Sequence, residues 1–595
     1  MAQVTELPDT EPRQPLFIRA DWWAALTAAL ISGVVYFYTA QPNVGLLDSG
    51  EFIVAAQHFG VPHPTGYPLW TILAWLFQLL PLGNAAWEIN LFSGFCGALA
   101  VGVTTLVAAS MLRWMMPWWG GTQTPLKVAP LLTSIIAASF GLLFAFSFSF
   151  WTQAVIAEVY TLHGLLIGLF VASLYWWVRR PQSDWPIVAA FFSFSLGMSN
   201  HHLTLALAPL PLLVPLLVRR SVFWEVLVAS VLSASLVYLG FAWLSKDATT
   251  WSTAMRFFYF AMLGLIILLV LKWRRTDLKI VLLVPVAVIL GLLPYAYMPV
   301  ASSTNPPMNW GYTSTPEGFF YSINRTQYAG SLSDLIVRTL GKGMGTAPEK
   351  PPQPEDPERV STLQLGREFT NFYWRKLMEN FTPWGVAAFF AAVLAVFRLP
   401  LHQRTFLYLL FFGFILSAFL QPIMERTETT IDSWSLQFPY HGYAYLLFSL
   451  LCAAGTGYVV ARLMSVRPAL RYAAYALPLL PLWTGIHNAP LCSQRDHWFG
   501  WHYGHDMLKD LPKDAFVFGG TDPGRFVPTY MILGESFVDP EDRRDPDFDR
   551  RDLVIVTQNA LADAFYQKYI HDHYAPGRPK AKGWFEKWLG RDEQY

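Results

Sequence analysis

Long stretches without a charged residue recur along this chain of 595 residues, and they constrain its fold more than any other feature. A helix that crosses a lipid bilayer needs about 20 mostly apolar residues. The run 185–218 holds two helices, because it exceeds one span and contains the polar break Ser199-Asn200-His201-His202. With it, twelve uncharged runs predict about 13 transmembrane helices: 22–47, 89–112, 128–157, 159–178, 185–218, 226–245, 257–271, 280–316, 380–397, 405–424, 433–461 and 472–494.

The composition favours the same class of protein. Hydrophobic residues make up 54% of the chain and charged residues 14%, whereas a soluble protein has about 25% charged residues. The net charge of +1 gives no basic field for nucleic acid. The three cysteines, Cys96, Cys452 and Cys492, have no metal-ligand spacing and support neither a disulfide framework nor a structural zinc site. We therefore expect a polytopic α-helical membrane protein.

Basic residues predict the orientation of the helices. With residues 1–21 in the cytoplasm, the cytoplasmic segments carry 17 Lys and Arg and the short outer loops carry three, which is the positive-inside asymmetry. The count holds only if 67–80 does not cross the membrane, so we expect that segment to form an amphipathic helix along the outer interface. The transmembrane domain then covers 22–487, with outer loops at 48–87 and 299–379.

The tail, 488–595, has the pattern of a soluble domain on the outer side. Residues 515–520 read as a buried strand that ends in a turn, and a helix follows as far as Leu533. Residues 552–557 read as a second strand. This order predicts a small α/β domain with a βαβ-like unit, while 347–359 in the preceding outer loop is rich in proline and charge and is expected to be mobile.

Polar and charged side chains gather near one side of the predicted membrane, where they usually mark function. No charged residue falls in the middle of a predicted span. The candidate site residues are Asp48, Glu51, His63, Tyr67, Glu158, Tyr160, His163, Asn200, His201, His202, Asn309, Trp310, Arg325 and Tyr328.

Several of these residues also have a purely structural interpretation. Asp48-Ser49-Gly50-Glu51 fits a capping box, in which Asp48 caps a helix and Glu51 returns to its backbone. Capping and catalysis are compatible, since a cap holds a carboxylate rigidly. Glu158 is equally explained as a hydrogen-bonded residue between helices. Of the adjacent His201 and His202, we expect one to face a cavity.

Short motifs near these residues resemble a family long catalogued only as a domain of unknown function. Its animal members are protein O-mannosyltransferases of the endoplasmic reticulum. The matching segments are 47–52, 63–69, 90–93, 157–162, 196–201, 305–311, 325–328 and 514–522. One departure is visible, since the family tends to have an arginine shortly after the proline that matches Pro299, where this chain has Val300 and Ala301.

The resemblance implies a GT-C-type glycosyltransferase that takes a sugar, mannose in the family, from a polyprenyl-phosphate carrier. The acceptor would be a hydroxyl, of protein Ser or Thr or of a glycan. Asp48 would serve as the base, with Glu51 in support. Arg325, His201 or His202, and Tyr328 would stabilise the lipid phosphate, whereas Glu158, Asn200 and aromatic residues would bind the sugar. No cofactor beyond the lipid-linked donor is expected, and a divalent metal stays open.

The same implication predicts a multi-pass protein of a bacterial inner membrane with a periplasmic site, or of the endoplasmic reticulum in a eukaryote. Two other classes stay open. A transporter or lipid flippase would need polar residues at the midplane, broken helices and an internal repeat, and no clear repeat is visible. A non-catalytic scaffold or receptor would use the outer tail, but it would not need acids and histidines gathered beside the bilayer.

Overall fold

The computed structural model describes residues 15–121, 125–245, 248–272, 275–325, 362–420, 438–520 and 522–574. Helices dominate this part of the chain. In order they are α1 (Arg19–Thr39), α2 (Ser49–Gln57), α3 (Pro68–Phe77), α4 (Ala85–Trp119), α5 (Pro130–Ala145), α6 (Phe148–Ala154), α7 (Tyr160–Arg179), α8 (Trp185–Met198), α9 (Leu210–Val218), α10 (Phe223–Ser245), α11 (Ala248–Lys272), α12 (Leu278–Leu292), α13 (Tyr297–Ser303), α14 (Pro316–Ile323), α15 (Thr362–Val396), α16 (Leu401–Ile415), α17 (Gly442–Val466), α18 (Leu479–Cys492), α19 (Phe499–Leu508), α20 (Asp522–Leu533) and α21 (Ala564–Tyr574).

Nine helical segments among the described residues are long and apolar enough to cross a membrane, and α5 with α6, bent by 68°, makes a tenth. The polytopic helical class is therefore confirmed. The number 13 is not, because α8, the segment His202–Val218 and α18 are helical but shorter than the spans that the runs predict. Prolines explain part of the difference: Pro209, Pro211 and Pro215 interrupt the sixth predicted span.

The helices α10, α11 and α12 show the surface that a bilayer covers. Large apolar side chains point away from the protein, as in Trp243, Val270, Leu271 and Leu282, each more than 60% exposed. A soluble protein does not leave such a surface in water. The backbone of these helices is hydrogen-bonded internally, as a lipid environment requires.

Basic residues of the predicted cytoplasmic segments lie together at one end of the helix bundle. Arg113 near the end of α4 donates to Asp21 at the start of α1, with 2.8 Å between Nη2 and Oδ2. The guanidinium of Arg179, at the end of α7, lies 4.7 Å from the ring centre of Trp114. The predicted cytoplasmic segments must lie on one side of the membrane, and these contacts place residues from several of them at the same end of the bundle.

The connections that were predicted to lie outside meet at the opposite end. The N–H of Gln494 donates to the carbonyl of Thr39 at 2.9 Å, and the N–H of Gln41 donates to Val155 at 2.8 Å. Between α1 and α4 the chain therefore stays at this end. The helix α3 has only 10 residues, about 15 Å in length, so the prediction that it does not cross is confirmed. Its place in the interface stays a prediction.

A parallel pair of strands lies in the tail. The strand β1 (Phe516–Gly519) pairs with β2 (Val554–Thr557), with Phe516 opposite Val554. The helix α20 lies between them in sequence, so the predicted βαβ-like unit is confirmed. The prediction that the first strand is buried is wrong, because Phe516 and Phe518 are each 66% exposed on a sheet of two strands. The sheet has two strands within the described residues, which is too few to enclose a core alone.

The tail instead shares its core with the first outer loop. Buried side chains of α2, such as Ala55, pack in one cluster with Val527 and Tyr530 of α20. At Gly50 a Cβ atom would lie 2.3 Å from the carbonyl oxygen of Phe526. The close approach of α2 to α20 therefore requires glycine at this position. The described part of the tail is therefore packed against the site-bearing loop through α20.

The second predicted outer loop, 299–379, contains more helix than expected. The helices α13 and α14 lie in its first part, and α15 begins at Thr362, well before the expected start of the tenth span at Asn380. A left-handed residue, Thr382 with φ 62°, precedes Pro383 and bends α15. The segment 347–359, expected to be mobile, lies outside the described residues.

The orientation can be tested with single cysteines at exposed positions. We expect Gln182→Cys to react only with a reagent on the cytoplasmic side and Asp496→Cys only with one on the outer side. The three native cysteines are buried, so the unmodified protein is the control for background labelling. Labelling of both positions from the same side would contradict the orientation.

Candidate active site

The predicted site residues converge at the end of the bundle opposite the basic loops. His201 is at the centre of an aromatic group: its ring centre lies 5.3 Å from that of His163 and 5.7 Å from those of Tyr67 and Tyr160. The ring of His63 lies 5.0 Å from Tyr67. Segments from the first loop, from α7 and from the turn after α8 thus form one site.

Glu51 holds the first loop in place. Its Oε1 accepts the backbone N–H of His63 at 2.5 Å, and its Oε2 lies 2.9 Å from Nδ1 of the same residue. Nε2 of His63 lies 3.0 Å from the hydroxyl of Tyr67. Glu51 is fully buried, and this chain of hydrogen bonds leaves both of its oxygens occupied.

The capping-box interpretation is wrong. Asp48 precedes α2 but its side chain makes no cap hydrogen bond. The carboxylate of Glu51 binds His63, twelve residues on, because that residue offers a ring N–H and a backbone N–H together in a buried place. A carboxylate forms charge-assisted hydrogen bonds in either place, but His63 supplies two donors to Glu51 whereas the helix end would supply one.

The pKa of His63 follows from this pairing. Burial, the largest single influence, lowers the pKa of the His63 imidazole, whereas the charge and hydrogen bond of Glu51 and the charge of Asp48 together raise it. The net direction is upward.

Asp48 is the half-buried carboxyl group of the site. Burial raises its pKa to about 6, with further upward contributions from the charges of Glu51 and Asp522, whereas His63 and Arg525 lower it. A carboxyl group with a pKa near the working pH can take up a proton and release it again. Among the acids of the site, Asp48 has the properties of a general base.

Glu158 is fixed through its backbone. Its N–H donates to Oγ of Ser93 at 3.2 Å, and its carbonyl accepts from Nε1 of Trp70 at 3.1 Å. Burial raises the pKa of the Glu158 carboxyl well above its usual value, and the charge of Asp48 raises it further. The neutral acid that results can donate a hydrogen bond. Asn90, one turn before Ser93, binds the carbonyl of Gln41 at 2.7 Å and so ties down the start of the loop.

The adjacent histidines have different surroundings. His201 is 2% exposed, and its Nδ1 accepts the N–H of Leu203 at 3.3 Å, which places the proton on Nε2. Burial lowers the pKa of His201, and His202 lowers it further. His202 is half-buried, and its Nε2 lies 2.6 Å from Nη1 of Arg325. Tyr328, predicted beside Arg325, lies outside the described residues.

The amides of Asn200 and Asn309 are buried at the edges of the site. Asn200 donates to the carbonyl of Val159 at 3.2 Å, and Asn309 donates to Ser302 at 3.3 Å. The Oδ1 atoms of both residues have no hydrogen-bond partner among the described residues. Buried acceptors without a donor are rare in proteins, so these two amides mark the edges of the site as places where a donor is needed.

Trp310 closes the site on the side of the tail. Its backbone N–H donates to Val61 at 2.9 Å, and its ring centre lies 6.3 Å from that of His63. The guanidinium of Arg525, from α20, lies 3.8 Å from the ring centre of Trp310.

The sequence interpretation missed Asp522 and Arg525. The segment around them was read as part of a soluble domain, and nothing in its pattern indicates that it packs against Gly50. A signal was present, since Arg525 is the only basic residue between Lys513 and Arg543. At the position of the departure from the family, Ala301 is buried and Val300 is 46% exposed.

Comparisons with known proteins agree with the motif resemblance. Residues 48–224 match the family described as the protein O-mannosyl-transferase TMEM260 N-terminal domain. The predicted resemblance is confirmed. The protein O-mannosyl-transferase TMEM260 of Mus musculus is 29% identical over 304 residues, which is 50% of this chain and 33% of that protein. The Dictyostelium discoideum protein of the same name is 22% identical over 627 residues, 96% of this chain and 64% of that one.

The chain thus spans about one third of the length of the mouse relative and less than two thirds of the Dictyostelium relative. Among solved structures, ArnT from Cupriavidus metallidurans bound to undecaprenyl phosphate is similar with a TM-score of 0.47 at 12% identity, covering 93% of this chain and 88% of that chain. The apo form gives a TM-score of 0.42 at 14% identity, with 85% and 83% covered.

The two acids of the first loop should respond oppositely to neutralisation. Glu51→Gln loses a charge-assisted contact in a buried place, which costs roughly 1–3 kcal/mol. Asp48→Asn should instead stabilise the fold at neutral pH by roughly 1–3 kcal/mol, because the folded state disfavours the ionised carboxyl.

Thermal unfolding of the purified variants checks this contrast. The gain in Asp48→Asn should be full above about pH 6 and absent below about pH 4, where the Asp48 carboxyl is protonated in both folded and unfolded chains. A loss of stability in Asp48→Asn equal to that in Glu51→Gln would contradict the separate roles.

Proposed function

We propose that this chain transfers a sugar, mannose, from a polyprenyl-phosphate carrier to the hydroxyl of a Ser or Thr side chain in an acceptor protein. The observation that carries the proposal is the half-buried Asp48, with its pKa raised to about 6, at the mouth of an aromatic and histidine-rich site. The match of residues 48–224 to an O-mannosyl-transferase family supports it.

The transfer needs three events that the site residues can support. The acceptor oxygen attacks the anomeric carbon from the face opposite the phosphate, and a new carbon–oxygen bond forms. The bond from that carbon to the phosphate oxygen breaks, and its electron pair leaves with the polyprenyl phosphate. Asp48 takes the proton of the attacking hydroxyl, which is general base catalysis.

The leaving phosphate needs positive charge at the edge of the bilayer. Arg325 and His202 lie together at 2.6 Å beside the buried His201. A guanidinium binds phosphate in a bidentate manner, and its charge stabilises the leaving group as the bond breaks. We assign Arg325 to the phosphate, with His202 as the residue that orients it.

The sugar would lie between this cation and Asp48. Glu158 as a neutral acid and the free Oδ1 of Asn200 offer a hydrogen-bond donor and an acceptor for its hydroxyls. The rings of Tyr67, Tyr160 and His201 provide apolar faces. Glu51 and His63 contribute through position and charge, because their hydrogen bonds fix the loop that presents Asp48.

A lipid-linked donor also agrees with the position of the site. The site lies at one end of a helix bundle whose apolar surface extends below it, so a polyprenyl chain can stay in the bilayer while its headgroup reaches the site. A transporter would place its polar residues near the midplane, and the predicted site residues lie at one end. With the basic loops in the cytoplasm, the site faces the periplasm of a bacterium or the lumen of the endoplasmic reticulum.

Asp48→Asn should lower kcat by roughly 10²- to 10⁴-fold, the usual effect of losing a general base. The measurement is transfer from a radiolabelled polyprenyl-phosphate mannose to a Ser- or Thr-containing peptide by the purified protein. Asp522→Asn is the matched control, since it removes a nearby carboxylate that raises the pKa of Asp48 without acting as the base. Near-normal turnover in folded Asp48→Asn would contradict the assignment.

The pH dependence of the reaction gives a second test. The ionised form of Asp48 is the base, so kcat/KM should fall about tenfold per pH unit below about pH 6 and level off above it. Arg525→Gln removes a cation that lowers the pKa of Asp48 and should move this limb to higher pH. Two results would assign the titration to another group. One is a fall of kcat/KM at the same pH in Arg525→Gln as in the unmodified protein. The other is the same fall in the residual activity of Asp48→Asn.

A further inference from the structure

A cavity of about 450 Å³ lies beside the site, between the segment that carries Trp310 and the tail. Its volume is within the range of ligand pockets, roughly 300–1,000 Å³. Residues of β2 and of the start of α21 form its far wall, and α20 contributes Arg525, Phe526 and Thr529 to the lining. Every lining residue comes from a segment at the site end of the protein, and none comes from the long membrane helices. A ligand therefore enters this cavity from the aqueous side.

The wall that faces the active site is shared by both. Trp310 lines the cavity and also lies 6.3 Å from the ring of His63. Arg525 lines the cavity, packs on Trp310 at 3.8 Å and acts on the charge of Asp48. A group that passes Trp310 from the cavity therefore arrives beside the proposed base.

The polar groups of the cavity suit a ligand with amide hydrogen-bonding groups. Asn309 lines it, is 2% exposed, and keeps its Oδ1 without a partner among the described residues. Asp563 lines the opposite side, accepts the hydroxyl of Tyr321 and accepts the N–H of Phe565 at 2.7 Å. Both oxygens of Asp563 are thus occupied, whereas the buried Oδ1 of Asn309 still needs a donor, and a polypeptide backbone supplies N–H groups of this kind.

The aromatic residues favour a polypeptide over a glycan. Tyr321 packs on Phe565 at 4.9 Å between ring centres, and Tyr566 stacks on Tyr569 at 5.8 Å with 19° between the ring planes. One face of Trp310 is covered by Arg525. These rings pack against one another and against Arg525, and together they give the cavity an apolar lining suited to amino-acid side chains.

We propose that this cavity is the acceptor site and that it binds an extended polypeptide segment whose Ser or Thr hydroxyl reaches Asp48 past Trp310. The proposal rests on the proposed transferase function and adds the path by which the acceptor reaches the base. The lipid-linked donor occupies the other side of Asp48, near Arg325, so the two substrates approach from opposite directions as the displacement requires.

A single substitution can fill the cavity without touching the catalytic residues. Ala562 is exposed and lines the cavity, so Ala562→Trp should fold and occupy the space of the acceptor. Ser303→Trp is the matched control, because Ser303 is exposed and lines a second cavity of about 410 Å³ that does not include Trp310 or Arg525.

The probes are polyprenyl-phosphate mannose and a set of hexapeptides that each contain one Ser or Thr. We expect Ala562→Trp to raise the KM for the best peptide at least tenfold, with the KM for the donor within twofold of the unmodified protein. Ser303→Trp should leave both values within twofold. An unchanged peptide KM in folded Ala562→Trp would overturn the proposal.

A photoreactive phenylalanine analogue at position 562 provides a second measurement that does not depend on filling the cavity. It should cross-link the best hexapeptide in competition with excess unlabelled peptide. Peptide turnover without such a cross-link would overturn the assignment, and so would transfer to oligosaccharides but to no peptide. If labelled donor is consumed with no acceptor of any class, the transferase function itself fails, and the result is distinct from failure of the acceptor site.

Discussion

The buried contact between Glu51 and His63 is the interaction on which the arrangement of the site depends. It joins the first turn of α2 to the return of the loop through two hydrogen bonds, 2.5 and 2.9 Å long. Removing either partner leaves the other as an uncompensated polar group in a dry place, which is far more costly than the pair itself. The pair fixes the loop so that Asp48, three residues before Glu51, stays half-buried and close enough to His63 for the two groups to interact electrostatically.

Neutral residues complete what this pair begins. Ser93 and Trp70 hold the backbone of Glu158, and Asn90 holds the chain before Asp48. None of the three has acid–base chemistry to contribute, yet Asn90 and Ser93 lie in the motif 90–93 and Trp70 directly follows the motif 63–69. Carboxylates that repel one another in a low dielectric cannot assemble a site by themselves. The backbone must be fixed first, and uncharged hydrogen bonds do so without adding to the repulsion.

The sequence was sufficient for the fold class, and it selected candidate residues that the fold brings together. Uncharged runs predict helices because apolar composition decides burial in lipid. The βαβ order of the tail is visible in its sequence as two apolar strand segments separated by a helical one. Span length is harder: prolines after His201 shorten a segment that hydropathy alone reads as complete. The residues of the site were predicted because charged and histidine side chains are rare in such a chain.

What the sequence could not show is contact between distant segments. The spacing of Asp48 and Glu51 fits a cap perfectly well, and only the fold reveals that a residue twelve positions later offers two donors to Glu51. Gly50 is a second example. The sequence pattern explains it as a residue that tolerates many backbone conformations, but glycine is required there because the carbonyl of Phe526, 476 positions away, leaves no room for a Cβ atom. Because α20 packs this closely against α2, Arg525 of α20 lies in the wall of the candidate site, against Trp310. The tail is thus a structural part of the site, because Asp48, Arg525 and the cavity beyond Trp310 come together only when α20 packs against α2.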